Sequence, residues 1–405
     1  MPHTLLITGP GGSGRTTVAA ATALAAARQG RRVLLLSGDV GDPVAALTGE
    51  PGEPAGPAAE VVPGLRAATA AHGLRVARVD SGEEFREELV ALQERGSTLL
   101  GMVGARPLGA EELTELPGAE QFALLRALRR AAAAPRTDLV VVDMPPLHQA
   151  LATLALPAQL RRYLARLLPA ERQAARALRP VLAQLAGVPM PAQWLYEAAA
   201  RWDEELAAVQ AVVEADTTEV RLVAEPGPAA ADALRLGRLG LALQQLPVAA
   251  VVANRTLPQG SAEPWLAGLA AEQEKYAAQW AGEGPLVRVP HLGRSPRGPQ
   301  DLELLAAAGG LVPPADPAPR RAWTVEDRLA EDGVLVWVVP LPGAHKRELD
   351  LIRRGDELLL TAGPYRRIVP LPAALRRCTV SGAALAEDAL RIRFTPDPGL
   401  WPRAR

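Results

Sequence analysis

The chain has 405 residues, of which 48% are hydrophobic and 22% are charged; this composition is typical of soluble globular proteins, and the length predicts two or three domains. Its 44 basic and 45 acidic residues almost cancel, which argues against a nucleic-acid-binding protein with a strongly basic surface. The single cysteine, Cys378, excludes an intramolecular disulfide and a metal site made of paired cysteines within one chain.

The N-terminal sequence has neither the basic start nor the long apolar segment of a signal peptide. No stretch of the chain approaches the roughly 18 uncharged apolar residues of a membrane span. We therefore expect a cytoplasmic protein with no membrane span and no nucleic-acid partner.

The first part of the chain alternates predicted strands and helices. Apolar runs at residues 4–8 and 31–36 flank an Ala-rich helical stretch at 16–29, and a glycine-rich loop joins the first run to that helix. This β–loop–α–β order is the building unit of a parallel sheet, so the predicted fold class is α/β. Further apolar runs predict strands covered on both faces, at residues 74–79, 138–142, 219–224, 248–253 and 286–289.

Two segments interrupt this alternation. Residues 49–63 are rich in Pro, Gly, Ala and Glu and predict a loop. Residues of about 156–216 carry apolar side chains every three to four positions and contain no strand candidate, so they predict a helical insertion in the α/β domain. Further helices are predicted at 83–93 and 119–130.

The C-terminal part has a different pattern. Residues 313–321 are Pro-rich and lack periodicity, which predicts a semi-rigid linker after an α/β domain at 1–312. Short apolar runs separated by turn residues then predict a small all-β domain at 322–398, followed by a tail at 399–405. The predicted strands span residues 333–339, 347–352, 357–361, 365–370, 379–381 and 389–394.

A candidate phosphate-binding loop, GPGGSGRTT, lies between the first predicted strand and the first predicted helix. Its glycines let several backbone N–H groups point inward, where they form an anion site together with the helix N-terminus. The expected nucleotide contacts in the loop are Gly9, Gly11, Gly12, Ser13, Gly14, Arg15, Thr16 and Thr17. Thr16 stands where a hydroxyl ligates Mg²⁺. The alternative is a glycine-rich turn that binds no ligand.

Arg15 is the one mismatch to the pattern GxxxxGK[ST]. A guanidinium is bulkier than an ammonium and planar, so it can bind phosphate and still fit the transition state poorly. Composition offers a simpler explanation, since Lys275 and Lys346 are the only lysines of the chain. The loop therefore predicts nucleotide binding more firmly than it predicts hydrolysis.

The loop and the segments that follow it resemble the ArsA/guided-entry family of dimeric P-loop ATPases, whose loop reads GKGGxGKTT. The likeness covers residues of about 1–312. It implies a P-loop ATPase domain, ATP and Mg²⁺ as ligands, and a homodimer or a heterodimer with a paralogue. Pro10 replaces the family's signature lysine, which reaches across the dimer to the partner's nucleotide, so the resemblance leaves cross-subunit activation open.

The resemblance also assigns roles outside the loop. Asp39, in SGDVGDP, matches the aspartate that activates the attacking water, and Asp143, after the run DLVVV, matches the aspartate that holds Mg²⁺ through water. Asn254 and Arg255, in VVANR, resemble the element that reads adenine. The alternatives are a turn or capping role for Asp39 and for Asn254. His148 is either a displaced switch residue or a loop histidine without a function.

Residues 334–396 resemble the β-sandwich of α-crystallin and the small heat-shock proteins. The sequence LPG at 341–343 after a predicted strand and LP at 371–372 carry the likeness. The implied architecture is a P-loop parallel sheet with a helical insertion, followed by a small all-β sandwich. No tethering motif of the IxI type occurs in the tail, so protein interaction or domain docking is expected rather than assembly into large oligomers. Cys378 is expected to be a buried apolar residue.

Relatives that deliver tail-anchored membrane proteins use the helical insertion as an apolar client groove, often rich in methionine. Only Met190 lies in this insertion, so helix packing is the alternative to a groove. Metalloid-binding thiols and a paired-cysteine zinc clamp, both known in the family, are absent from a chain with one cysteine.

Three hypotheses follow. The first is an Mg-ATP hydrolase that opens and closes as a dimer and carries a protein-interaction β domain. The second is a catalytically impaired scaffold protein, which Pro10 and Arg15 favour and which Asp39, Thr16 and Asp143 oppose. The third is a chaperone that binds a protein client through the helical insertion and the β domain.

Overall fold

The structure, a computed structural model, describes residues 1–38, 43–48, 59–102, 104–168, 191–307, 309–320 and 322–401. A nine-stranded sheet forms the centre of the first domain. Its strands are β1 (His3–Thr8), β2 (Val33–Ser37), β3 (Ala59–Val62), β4 (Leu65–Thr69), β5 (Arg75–Arg78), β6 (Leu139–Asp143), β7 (Thr218–Ala224), β8 (Val248–Thr256) and β9 (Leu286–Pro290). They lie in the order β3–β4–β5–β2–β6–β1–β7–β8–β9. The seven neighbouring strands from β5 to β9 pair in parallel. At the other end of the order, β4 pairs antiparallel with β5, and β3 pairs antiparallel with β4.

Helices cover both faces of this sheet. They are α1 (Arg15–Arg28), α2 (Pro43–Thr48), α3 (Ser81–Arg95), α4 (Ser97–Met102), α5 (Ala119–Ala132), α6 (Leu147–Leu167), α7 (Pro191–Val213), α8 (Pro228–Leu243), α9 (Pro264–Glu283) and α10 (Gly298–Ala306). Successive side chains of a strand point to opposite faces, and those of the central strands divide between two hydrophobic cores. One core packs against α1 and α10, and the other against α5, α6, α7 and α8.

The strands predicted from apolar runs are all present, but burial on both faces is wrong for β5 and β9, which carry partly or fully exposed side chains. The central strands β1, β2 and β6 are buried throughout, and this burial is what makes their apolar runs continuous. The predicted loop at 49–63 is wrong for residues 59–62, which form β3; residues 49–58 lie outside the part of the chain that the structure describes. β3 lies at the sheet edge with partly exposed side chains, so its sequence carries no apolar run.

The predicted helical insertion corresponds to α6 and α7, which pack against each other. Arg161 of α6 pairs with Asp203 of α7 at 2.9 Å, and it also donates a hydrogen bond to the Gln210 side chain. Residues 169–190, including Met190, lie outside the described residues, so the prediction of a client groove stays a prediction. Within the described ranges, no helix combines the length and the apolar character needed to cross a membrane.

The C-terminal domain is a sandwich of two antiparallel sheets. One sheet contains β10 (Thr324–Arg328), β11 (Val334–Pro340), β16 (Ala389–Pro396) and β15 (Cys378–Ala386) in that order, and a short helix, α11 (Leu329–Asp332), follows β10. The other sheet contains β12 (Leu349–Arg354), β13 (Glu357–Ala362) and β14 (Tyr365–Pro370). Six of these strands overlap predicted ones. The sequence of β10, TVEDR, is polar because the strand lies at a sheet edge, and it was not predicted. Cys378 is buried in the sandwich as expected.

The β domain packs directly against the first domain. Leu239 of α8 belongs to the same buried cluster as the core of the sandwich. Among the described residues, three ion pairs cross the junction: Arg162 with Glu357 at 2.8 Å, Arg235 with Glu348 at 3.0 Å, and Arg367 with Glu214 at 3.9 Å. The second domain is therefore held against α6 and α8 of the first.

The Pro-rich segment between the domains is bound along the first domain. The Arg320 guanidinium donates to the carbonyl oxygens of Val213 and Ala215 at 2.8 and 2.7 Å. Arg31 Nη1 donates to the carbonyl oxygen of Pro313 at 3.1 Å. The domain boundaries at 312 and 321 remain predictions, but the residues between them are attached at several points.

Candidate nucleotide site

The glycine-rich loop lies at the carboxyl ends of the parallel strands. β1 leads into it at Thr8, and α1 begins at Arg15 directly after it. In open parallel sheets, ligands bind at this end of the strands. The strand order places β1 between β6 and β7, so the loop has a strand end on each side.

Two glycines of the loop are required by close packing. A Cβ atom at Gly9 would lie 1.9 Å from the carbonyl oxygen of Val223, and the backbone there has no room for one. Gly14 has a φ of 84°, in the left-handed region that favours glycine, and a Cβ atom there would lie 2.4 Å from Asn254 Nδ2. The spacing of these glycines thus reflects the folded shape of the loop.

The end of β8 supports the loop from one side. Asn254 Nδ2 donates to the carbonyl oxygen of Ser13 at 2.8 Å, and Arg255 Nη1 donates to that of Gly12 at 3.1 Å. Arg255 also pairs with Glu225, which follows β7, at 3.3 Å. The structure thus brings both predicted residues to the loop, where they bind its backbone; the adenine contact inferred from the resemblance remains a prediction.

The end of β6 supports the loop from the other side. Asp143 is 4% exposed, and its Oδ2 accepts a hydrogen bond from Ser37 Oγ at 3.1 Å. Directly afterwards, the amide of Met144 donates to the carbonyl oxygen of Ile7 at 3.0 Å. Thr8 Oγ1 donates to the carbonyl oxygen of Pro145 at 2.8 Å. These bonds fix the carboxylate of Asp143 next to the start of the loop.

Arg15 connects the loop to the same segment. Its Nη1 donates to the carbonyl oxygen of Met144 at 2.6 Å. One turn further along the chain, the amide of Leu147 donates to the carbonyl oxygen of Gly9 at 2.9 Å. The guanidinium that replaces the loop lysine is therefore engaged with protein backbone beside Asp143.

The chemistry of the loop fits a bound phosphate. The N-terminus of α1 has no side-chain cap and no acidic residue in its first turn, so its N–H groups carry partial positive charge toward the loop. Ser13 Oγ is buried and has no hydrogen-bond partner among the described residues. A buried hydroxyl without a partner is unfavourable, and a phosphate oxygen would satisfy it.

The chemistry also fits Mg²⁺ bound together with phosphate. Thr16, in the first turn of α1, and Asp143 supply the hydroxyl and carboxylate oxygens that this ion prefers. In the described ranges no group of three or more His, Cys, Asp or Glu side chains could hold a metal ion. Magnesium usually keeps several waters and takes ligands from the substrate phosphates, so a small protein contribution is consistent with this ion.

Asp39, the predicted catalytic residue, lies outside the described residues. The structure describes the chain up to Gly38, which follows β2 at the same edge as Asp143. The catalytic role of Asp39 stays a prediction. So do the Mg²⁺ contacts of Thr16 and Asp143 and all the predicted nucleotide contacts, which are those of Gly9, Gly11, Gly12, Ser13, Gly14, Arg15, Thr16, Thr17, Asn254 and Arg255.

Two groups of this site were not found from the sequence. Ser37 bonds Asp143, and a hydroxyl at the last position of a buried strand was the available signal. The carbonyl oxygen of Met144 accepts the bond from Arg15; a backbone acceptor 129 residues away leaves no signal in the sequence.

Comparisons with known proteins agree with this geometry. Residues 3–306 match a family model described as anion-transporting ATPase, and residues 332–394 match one described as an HSP20-like domain found in ArsA. A Streptomyces coelicolor protein, named only as uncharacterized, is 58% identical over the whole of both chains. A Mycobacterium tuberculosis protein is 31% identical over 98% of this chain and 97% of its own. An Aquifex aeolicus protein, whose name describes an arsenical pump-driving ATPase, is 24% identical over 96% of this chain and 98% of its own.

Proposed function

The chain belongs to the anion-transporting ATPase family and carries an HSP20-like second domain, and on this premise we propose that it binds ATP with Mg²⁺ and hydrolyses it. The observation that carries the proposal is the loop itself. Gly9 and Gly14 are fixed by close packing, the helix N-terminus after the loop is uncapped, and Asn254 and Asp143 flank the loop.

The residues of the loop have distinct roles in this proposal. Backbone N–H groups of the loop and of the first turn of α1 bind the phosphates, and Ser13 Oγ donates to one of their oxygens. Thr16 and Asp143 hold Mg²⁺, which neutralises phosphate charge when bound. Ser37 orients the carboxylate of Asp143 through its hydrogen bond. Asp39 accepts a proton from the attacking water or orients it.

Arg15 is the residue on which hydrolysis depends. A guanidinium has five N–H donors, and Nη1 binds the carbonyl oxygen of Met144, so its other donors can bind a phosphate oxygen. The planar arrangement of these donors suits the charge-assisted bonds that phosphate accepts. Lysine would reach the same oxygens as a compact point charge, with less steric demand.

The proposed assembly is a homodimer or a heterodimer with a paralogue that opens and closes with the nucleotide. Pro10 has no side-chain donor, so this position cannot supply a charge to the partner's nucleotide. In a homodimer, hydrolysis must therefore proceed without the signature lysine, whereas in a heterodimer the paralogue can supply one.

The name of the Aquifex protein mentions arsenicals, but the single cysteine of this chain argues against their binding. Its one thiol, Cys378, is buried in the β domain and donates weakly to the carbonyl oxygen of Ala374 at 3.5 Å. Burial raises the pKa of this thiol, and a neutral thiol is a poor metalloid ligand.

A second candidate function is a nucleotide-binding scaffold that does not turn over. The engagement of Arg15 with Met144 favours it, because a guanidinium held on backbone contributes nothing to the transition state. Binding of a protein client remains a third proposal, which the described residues neither support nor oppose.

Binding and turnover of Mg-ATP by the full-length chain separate these proposals. The assay measures the dissociation constant by calorimetry and phosphate release in the same preparation, with Asp39→Asn in parallel. Binding with turnover that Asp39→Asn abolishes supports the hydrolase. Binding without turnover above the Asp39→Asn level supports the scaffold. Absence of binding at millimolar Mg-ATP overturns both.

A further inference from the structure

The β domain reaches the nucleotide site through the start of α6. The amide of Leu147, the first residue of α6, donates to the carbonyl oxygen of Gly9 in the loop at 2.9 Å. The next residue, His148, places its ring 6.0 Å from the ring of Tyr365, centroid to centroid, at an interplanar angle of 35°. This separation is within the range of attractive aromatic contacts. The contact with the loop and the contact with the other domain are thus made by adjacent residues, Leu147 and His148.

Tyr365, the first residue of β14, packs on both domains at once. It lies against the core cluster of the first domain and also against the core of the sandwich. A Cβ atom added at Gly240 of α8 would lie 2.9 Å from the ring of Tyr365 and 2.7 Å from Leu151 of α6. The tyrosine ring therefore fills the contact where α6, α8 and the β domain meet.

Leu147 is held at a second close contact, one turn earlier in α8. A Cβ atom at Gly237 would lie 2.3 Å from the side chain of Leu147. The side chain of Leu147 is buried while its amide binds Gly9. Movement of the start of α6 would therefore disturb the loop directly.

Two ion pairs flank Tyr365 at the junction between the β domain and the first domain. Glu357, at the start of the neighbouring strand β13, binds Arg162 of α6 through both carboxylate oxygens at 2.8 Å. Glu348 binds Arg235 of α8. Burial raises the pKa of the Tyr365 phenol, so the ring stays neutral in this contact.

We propose that Tyr365 is a positioning residue of the nucleotide site, which acts through His148 and Leu147 on the loop carbonyl of Gly9. The proposal rests on the nucleotide binding proposed above. The ring limits the movement of the start of α6 and so keeps the loop preorganised for phosphate, which raises affinity by lowering the ordering cost of binding. The second domain would thereby be part of the ATP-binding machinery of the first.

The test uses the full-length chain with Tyr365→Ala, Tyr365→Phe and Glu348→Gln. Calorimetry measures the dissociation constant of Mg-ATP, and hydrogen exchange measures protection of the Leu147 amide. We expect Tyr365→Ala to weaken Mg-ATP binding about tenfold and to speed exchange at Leu147, while Tyr365→Phe keeps both near wild type because it keeps the ring. Glu348→Gln weakens the same domain junction without touching α6, so its affinity should stay within about twofold of wild type.

Each outcome decides the proposal. Equal affinity and equal Leu147 exchange in wild type and Tyr365→Ala overturn it, as does an equal loss in Tyr365→Ala and Glu348→Gln. Should wild type bind no Mg-ATP, the proposed function falls, and the Leu147 exchange alone still shows whether Tyr365 holds the start of α6. Should Tyr365→Ala fail to fold, His148→Ala takes its place, with the same tenfold loss expected and unchanged affinity as the contrary result.

Discussion

Two regions of the first domain that contain buried polar groups differ in how those groups are bound. At the ends of β1, β6 and β8 lies the phosphate loop, where backbone N–H groups at the start of α1 are uncapped and Ser13 Oγ has no partner in the described chain. Near the starts of β1 and β7 lies a charged group of His3, Glu219 and Arg221, which we call the linker cluster.

In the linker cluster the charges bind one another and the segment between the domains. His3 Nε2 lies 2.9 Å from Glu219 Oε1, and Glu219 Oε2 accepts from the amide of Ala318 at 2.7 Å. Arg221 Nη1 donates to the carbonyl oxygen of Leu311 at 2.5 Å. Burial opposes ionisation of Glu219, but the bonds from His3 and Ala318 outweigh it and lower its pKa. Burial lowers the pKa of Arg221 to about 10, still well above neutrality.

Among the described residues, buried atoms without a partner occur in both regions: Ser13 Oγ in the loop, and His3 Nδ1 and Arg221 Nε in the linker cluster. The difference is that the carboxylate of Glu219 is bound by other described groups, whereas the N–H groups at the start of α1 have no side-chain cap. Groups of the linker cluster stabilise the attachment of the second domain, so their loss should affect stability and not nucleotide binding. Groups of the phosphate loop are positioned by close packing, so changes there should affect nucleotide binding most. Variants in the two regions should therefore show whether changes in stability and changes in nucleotide binding are separate.

The largest effect is expected from Glu219→Ala in the linker cluster. It leaves His3 and the amide of Ala318 without their carboxylate partner and removes the opposite charge near the buried Arg221. Removing one partner of a buried charged pair typically costs about 3–5 kcal/mol. Denaturant unfolding measures the loss, and calorimetry should show Mg-ATP affinity within about twofold of wild type for protein that remains folded. A large loss of affinity in folded protein would contradict the separation.

The matched control is Asp138→Asn, which removes a charge pair with Arg32 at the same end of the sheet. This pair is largely exposed, with side-chain exposures of 38% and 56%. Exposed pairs are screened by water, so the loss at neutral pH should be far smaller than for Glu219→Ala. Equal losses would show that burial does not set the strength of these pairs.

The second effect is expected from Gly9→Ala in the phosphate loop. The added Cβ atom would collide with the carbonyl oxygen of Val223 at 1.9 Å, so the loop must shift. We expect a destabilisation of about 1–3 kcal/mol, as for other forced overpacking, and loss of measurable Mg-ATP binding. Gly11→Ala is the control for stability, because a Cβ atom there meets nothing within 4 Å. Equal thermal stability of the two variants would contradict the packing argument.

The phosphate loop can be predicted from the sequence, whereas the linker cluster cannot. The loop was found because its glycines are local requirements of backbone shape, readable from spacing alone. The linker cluster was missed, although Glu219 and Arg221 stand inside a run predicted as a buried strand. Two charges in such a strand signal burial with partners, but their partners lie at residues 3, 311 and 318, too distant in sequence to identify.

In the rest of the chain, too, features with a local sequence pattern were predicted, and features without one were not. Central strands were predicted because burial on both faces imposes an apolar run, whereas β3 and β10 were missed because edge strands carry no such constraint. The structure places Asn254 beside the glycine-rich loop, but the family resemblance did not predict its bond to the carbonyl oxygen of Ser13. Contacts to backbone carbonyls, including that of Arg15, depend on the folded chain and not on the identity of the accepting residue.

The third effect concerns Arg15 and whether the phosphate loop is inhibited by its own side chain. Arg15→Lys removes the bond to the carbonyl oxygen of Met144 and supplies a compact charge. We expect phosphate release to rise about tenfold, equivalent to about 1.4 kcal/mol of activation free energy, measured at saturating Mg-ATP. Because Arg15→Lys removes one hydrogen bond and leaves the linker cluster intact, the free energy of unfolding should change by no more than about 1 kcal/mol. A fall in turnover would show that the guanidinium has been adapted to the transition state.

The smallest expected effect is a loss of stability at acid pH that involves Asp138, near the start of β6. Hydrogen bonds from Arg32 lower the pKa of Asp138 from 3.8 to about 2. A carboxylate with a lowered pKa stabilises the fold above its ordinary pKa, and this contribution is lost as pH falls toward the folded value. Wild type should therefore lose more stability than Asp138→Asn between about pH 4 and pH 2, followed by denaturant midpoints at each pH. Parallel curves for the two chains would mean that Asp138 titrates normally, and that the exposed pair contributes nothing to the acid stability of this end of the sheet.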